Sequence, residues 1–320
     1  MLRALLIYLS QAAWARAIIT RWSLTWRVAS RFVAGETPDA AIKVIKRLNE
    51  NGIYATLDHL GENITNEDKA LRATNEILNI LDVIESTGVR ASVSIKLSQI
   101  GLLLNKETCE RNMRLIMERA KFHNNYVRID MEDSPVTDVT LHLMRKMRRD
   151  GYAKHTGIVI QSYLYRSEDD IRQLMEEETS VRICKGAYKE PHEIAYPKKS
   201  DVDTNFDHIT KIMFDKVKKD QTIGDNASGR FPPIPAIASH DDARIQYAKD
   251  YAEGLGLPKK ALEFQMLYGI RRDWQIALAD DGYPVRVYVP YGTEWYPYFV
   301  RRLAERPANL WFFLSNLFRG

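Results

Sequence analysis

This 320-residue chain has only two cysteines, Cys109 and Cys184, far apart and with no metal-ligand spacing. That excludes a disulfide scaffold and fits a reducing, cytoplasmic setting. Its seven histidines form no H-E-x-x-H or similar pattern, so no metal site is expected. A G-x-G-x-x-G fingerprint and a Walker loop are both missing. Lys+Arg exceed Asp+Glu by only four, scattered along the chain, which gives no basic footprint for nucleic acid. What is present is an ordinary globular balance, 45% hydrophobic and 28% charged, which excludes disorder and collagen-like structure. Two domains are the default at this length, but one α/β barrel fills it equally well.

Long apolar runs are also lacking. Residues 4–15 are largely apolar, but Arg16 and Arg21 break the stretch before it could span a bilayer, and no signal-peptide cleavage site is evident. Trp14, Trp22 and Trp26 with Arg16, Arg21 and Arg27 could form an interfacial amphipathic helix, but the plainer reading is helices packing on the main domain.

Past residue 50, short apolar strands alternate with amphipathic helices. Strands are expected at 53–58, 91–96, 126–131, 157–162, 180–185, 235–239, 262–267 and 285–289. Ile77, Leu81 and Ile84 mark one face of a helix between them, as do Phe206, Ile209, Met213 and Val217. Eight such repeats predict a parallel barrel, with an open doubly wound sheet as competitor. Residues 220–234 read as a polar surface loop.

Several strands carry polar residues at period two: Ser94 and Lys96, Arg128 and Asp130, Glu263 and Gln265, Arg286 and Tyr288. In a barrel the apolar face of each strand packs on the outer helices, so this polar set must point inward. Buried charge is costly unless paired or used, which makes the interior a binding-site candidate.

Three local signals sharpen that expectation. In residues 286–309, a helix starting near Thr293 would place Tyr298 on one face with Arg301 and Arg302. Two guanidinium groups beside an aromatic make a carboxylate clamp. An Arg-Arg pair alone reads as a solvated stripe, but Tyr288, Tyr291, Trp295, Tyr296 and Tyr298 crowd this one. A strand ends in Lys185-Gly186-Ala187-Tyr188, where glycine permits close backbone approach to a ligand. Arg182 and Lys185 could donate to an electron-rich ring or a phosphate. Ser239-His240-Asp241 closes another strand, and by itself reads as packing.

Taken together, LDHLGE (57–62), SIKLSQIG (94–101), RIDMED (128–133), VIQSYL (159–164), VRICKGAY (181–188), ASHD (238–241), EFQMLYG (263–269) and the 286–309 segment resemble the proline dehydrogenase family. The resemblance covers roughly residues 50–310 and is closest to the short, monofunctional bacterial form. It implies an α/β fold, a distorted (βα)8 TIM-type barrel over 51–310. A helical segment at 1–50, a C-terminal helix over the barrel mouth and a tail at 311–320 would complete it. It implies FAD as cofactor and oxidation of L-proline to Δ1-pyrroline-5-carboxylate, by hydride transfer from C5 to flavin N5, with quinone as electron acceptor. The product would pass to a separate pyrroline-5-carboxylate dehydrogenase.

Residue by residue, the resemblance makes Asp130 and Arg182 catalytic, with Arg182 near flavin N5. Arg301, Arg302 and Lys96 would hold the proline carboxylate, while Leu267, Tyr288 and Tyr298 wall the ring. Glu62 would gate the site by pairing with Arg301. Gln161, Lys185, Gly186, Ala187, Ser239 and His240 would line the cofactor. Cys184 stands where the family usually has an aliphatic residue. The enzyme would be cytoplasmic, with contact at the inner face of the plasma membrane through the N-terminal helices a further expectation. The competing functions are another flavin barrel oxidoreductase, similar to methylenetetrahydrofolate reductase, and a non-catalytic carboxylate-binding protein.

Overall fold

A computed structural model describes residues 23–61, 64–221 and 228–305. Eight parallel strands close into a barrel in chain order, each neighbour pairing with the next and the last with the first. They are β1 (Tyr54–His59), β2 (Ala91–Ile95), β3 (Val127–Ile129), β4 (Thr156–Gln161), β5 (Val181–Cys184), β6 (Pro235–Ala238), β7 (Glu263–Leu267) and β8 (Val285–Tyr291). The open doubly wound alternative is excluded, because β1 pairs with both β2 and β8.

The helices between them are amphipathic for the reason the sequence gives. In α3 (Glu67–Thr87) the buried positions include Ile77, Leu81 and Ile84; in α7 (Lys199–Asp220) they include Phe206, Ile209, Met213 and Val217. These side chains and the outward strand residues Val93, Ile95, Ile129, Ile183, Phe264 and Val287 form one continuous core. Each fully buried aliphatic side chain contributes about 1.5–3 kcal/mol relative to exposure. Helix starts are capped locally: the Asn66 side chain accepts from Lys69 N at 3.0 Å at the head of α3. Gly88, with φ +65°, ends that helix in the left-handed conformation.

Two helices precede the barrel, α1 (Ser23–Ala29) and α2 (Pro38–Glu50). α1 and the turn after it form a second cluster with α10 (Trp295–Glu305), in which Val28, Phe32 and Val33 pack with Leu60, Ile270, Trp295, Tyr298 and Phe299. Trp26 meets Trp295 edge-on at 5.2 Å, so this tryptophan belongs to the packing between the helices flanking the barrel. Gly269 makes the crossing possible: a Cβ there would lie 1.7 Å from the Arg31 carbonyl oxygen. Leu60 and Ile270 follow the C-terminal ends of β1 and β7, so α10 lies at the barrel mouth. Trp14, Trp22, Arg16, Arg21 and the tail 311–320 lie outside the described residues, and among the described residues no helix is long and apolar enough to cross a membrane.

Two local readings differ from the sequence. α10 begins at Trp295, two residues after the expected start. The segment 220–234 is only partly a surface loop, since Pro232 and Pro233 are buried and Phe231 packs edge-on against Tyr126 and His155. Its polar first half hides the apolar Phe231-Pro232-Pro233-Ile234 run that docks below the barrel.

Candidate active site

Strand register decides which side chains share the barrel interior. Asp58 is aligned with Ser94, Ser94 with Arg128, Arg182 with Ala236, Ala238 with Gln265, and Gln265 with Arg286. The polar residues expected inside are therefore inside, in two tiers.

The lower tier is built around a buried ion pair. Arg286 and Glu263, both almost completely buried, meet through Nε–Oε1 at 2.8 Å and Nη2–Oε2 at 3.1 Å. Arg286 Nη1 also donates to the Ala55 carbonyl and to Ser92 Oγ. Arg128 has no such carboxylate; its Nη1 donates to the carbonyls of Ser180 and Ile158, at 2.6 and 3.2 Å. Burial pushes its guanidinium down to about 10.

The upper tier gathers four of the expected residues. Arg182 Nη1 donates to Asp130 Oδ1 at 2.9 Å, and the Tyr288 hydroxyl donates to Asp130 Oδ2 at 2.7 Å. Lys96 Nζ donates to the Tyr288 hydroxyl at 3.2 Å and lies 3.6 Å from Asp130. Burial and the neighbouring carboxylates hold the Tyr288 hydroxyl well above its usual range, so it stays a neutral donor. Leu267 is aligned with Tyr288 and packs against the cluster that contains Tyr298, joining the barrel wall to α10. On α10, Tyr298 is buried and the Arg302 guanidinium lies over its ring at 5.1 Å. Arg301 and Arg302 are half-buried. Glu62, the expected gate, lies outside the described residues.

The structure adds a residue the sequence reading did not single out. Asp58, at the mouth end of β1 and 1% exposed, accepts from Lys96 Nζ through both oxygens, at 3.2 and 3.3 Å. Burial raises its carboxyl to about 6, against the lowering effect of the Lys96 charge. Lys96 and Arg182 thus face two carboxylates, Asp58 and Asp130, so the charge that Lys96 brings to the mouth is compensated there.

A second arc runs over the ends of β4, β5 and β6. Gln161 Nε2 donates to the Glu132 carbonyl at 2.8 Å, while Ser98 N donates to the Glu132 carboxylate at 2.9 Å. Lys185 bridges Asp203 and Asp241, the latter at 2.6 Å. Burial would raise Asp241, but the Lys185 hydrogen bond and charge outweigh it and hold this carboxyl at about 2. Ser239 Oγ accepts from Asp241 N, and His240 Nε2 accepts from Leu267 N at 2.9 Å, which ties this arc to the mouth. Gly186, at φ +110°, runs against Tyr163, whose ring would be 2.4 Å from a Cβ, and Ala187 beyond it is exposed.

A closed parallel barrel with a polar, ion-paired mouth under an arginine-bearing helix is the architecture of a (βα)8 enzyme, whose chemistry sits at the C-terminal ends of the strands. A sequence model described as proline dehydrogenase matches residues 41–313, and the chain belongs to that family. Proline dehydrogenase 1 of Bacillus subtilis (strain 168) is 38% identical over the whole of both chains. The proline dehydrogenase of Deinococcus radiodurans is 39% identical over 92% of this chain and 91% of its own. Among solved structures, proline utilization A from Bdellovibrio bacteriovorus, inactivated by N-propargylglycine, superposes with a TM-score of 0.78 at 28% identity. That match covers 88% of this chain and 33% of the larger protein.

Proposed function

We propose that this chain, a proline dehydrogenase by family, oxidises L-proline to Δ1-pyrroline-5-carboxylate with FAD as its cofactor and quinone as the final acceptor. The observation that carries this reading is the cluster of Lys96, Asp130, Arg182 and Tyr288 at the mouth of the barrel, directly linked by hydrogen bonds.

The residues present fit a flavin. Arg182 within β5, and Gln161, Lys185, Ser239 and His240 at the ends of β4, β5 and β6, form a mainly donor-bearing set that suits ring carbonyls and a pyrophosphate. Gly186 is required by its positive φ and by the Tyr163 ring packed against it, which together fix the course of the backbone at the end of β5. Gln161 would hold the pyrimidine edge, Arg182 the region of N5, and Lys185, Gly186 and Ala187 the remainder, with Ser239 and His240 further along. When bound, the flavin supplies the acceptor, N5, for a hydride leaving proline C5.

The protein's part is to bind, orient and set the field. Arg301 and Arg302 would clamp the substrate carboxylate, with Lys96 beside them. Tyr288, Tyr298 and Leu267 would confine the ring. Hydride leaves C5 readily only when the nitrogen lone pair is free to form the C=N bond, so the amine must be neutral. Lys96 and Arg182 favour a neutral amine, an effect that their pairing with Asp58 and Asp130 offsets in part. Asp130 holds Arg182 and Tyr288 in one orientation. Isotopic substitution tests the step: proline deuterated at C5 should bleach the flavin more slowly than ordinary proline, and equal rates would dismiss C5–H transfer as the bleaching step. Electron delivery to a soluble quinone, with none to a nicotinamide, would support the acceptor.

A further inference from the structure

We propose that Gln265 is a positioning residue for Arg182, its amide oriented from below by the buried Glu263–Arg286 pair; this rests on the reading of Arg182 as the residue beside the flavin. Gln265 is 4% exposed and stands between the two tiers of the interior. Its Oε1 accepts from Arg182 Nε, and its Nε2 donates to Glu263 Oε1 at 2.6 Å. A guanidinium has only donors and a carboxylate only acceptors. An amide carries one end of each kind, so it satisfies both neighbours in a single orientation. Turned over, it would set its NH2 against the Arg182 N–H and its carbonyl against the carboxylate, leaving several buried polar groups without partners.

The lower pair keeps that orientation fixed. Glu263 accepts two hydrogen bonds from Arg286, which is itself anchored to Ala55 and Ser92. Arg182 therefore has three acceptors in fixed directions: Gln265 below, Asp130 beside it at 2.9 Å, and Ser94 Oγ at 3.3 Å. Asp130 also takes the Tyr288 hydroxyl and lies near Lys96, so it alone leaves the guanidinium free to pivot. Gln265 removes that freedom.

The test uses the full-length, flavin-loaded protein carrying Gln265→Leu, which removes both hydrogen bonds at similar volume. Anaerobic bleaching by proline should slow about tenfold or more while the proline KM changes less than about threefold, as expected when a misplaced group affects the reacting geometry. The midpoint potential of the bound flavin should shift with it. Gln265→Glu keeps an acceptor under Arg182 but sets a second carboxyl against Glu263. It should recover part of the rate and gain a pH dependence absent from the wild type, because two adjacent carboxyls share a proton. If Gln265→Leu fails to fold, the rate and pH profile of Gln265→Glu decide the matter. A Gln265→Leu protein with wild-type bleaching and potential overturns the proposal, even if its melting temperature falls, for Gln265 would then be only a brace. Arg182→Met separates the two readings. Slow bleaching there with a normal Gln265→Leu rejects Gln265 alone, whereas normal bleaching in Arg182→Met rejects the role of Arg182 and this proposal with it.

Discussion

The two tiers of the barrel interior are built from the same residue types and do different things. Below, Glu263 and Arg286 satisfy one another at less than 2% exposure, and Arg286 adds two further bonds to the strands around it. Above, Lys96 is shared among Asp58, Asp130 and Tyr288, and the mouth is overlain by a helix that brings more cations. A mutually satisfied buried pair contributes little net stability, but breaking it is expensive. A shared cation at an open mouth can be re-partnered by a ligand at small cost. Polar residues inside a barrel are therefore not functional by position alone; what separates scaffold from site is whether the partners are closed on themselves.

The lower tier should carry the largest stability effect. Glu263→Leu leaves Arg286 buried without its carboxylate and should cost about 3–5 kcal/mol, read from the denaturant midpoint. An unchanged midpoint would erase the distinction between the tiers. Next comes the clamp: Arg302→Ala should raise the proline KM roughly 10- to 100-fold, the value of one charge-assisted hydrogen-bonded contact, with little change in unfolding. A wild-type KM would remove Arg302 from the site. A smaller effect concerns Tyr298: as a wall of the proposed ring site it should favour proline over the bulkier 4-hydroxyproline by roughly tenfold in kcat/KM. A higher kcat/KM for hydroxyproline would contradict that placement.

The smallest effect is a pH dependence at the mouth. Folding raises the Asp58 carboxyl from 3.8 to about 6, chiefly by burial, so its ionisation opposes folding. The stabilisation from keeping it neutral is full below about pH 4 and is lost as pH rises through about 6. Asp58→Asn should flatten stability against pH over that window. A wild-type curve already flat there would show that Asp58 ionises without cost in the folded protein.

Much of this was legible in the sequence because it depends on periodicity. Alternation at 92–96, 126–130 and 285–288 marks both the strand and the side of it facing inward, and eight strand–helix repeats predict a parallel barrel, which the pairing of β1 with β8 closes. The Tyr298–Arg302 face follows from helical spacing in the same way, and the arginine indeed lies over the tyrosine ring. Contacts across the barrel were not legible. Asp58 looks like any polar residue at a strand end until pairing sets it beside β2, within reach of Lys96. Likewise Gln265 meets Arg182, 83 positions away in sequence, only because β5, β6 and β7 lie side by side. The segment 220–234 departs from expectation for another reason: a polar first half is joined to an apolar second half, whose Pro232 and Pro233 are buried.

The most direct measurement is an absorption spectrum of the purified protein, followed by anaerobic addition of L-proline. Flavin bands near ~450 nm that bleach with proline are the expected result. Bands that persist in proline, or protein that takes up no FAD on incubation, would contradict the assignment of the upper tier as a flavin-coupled proline site.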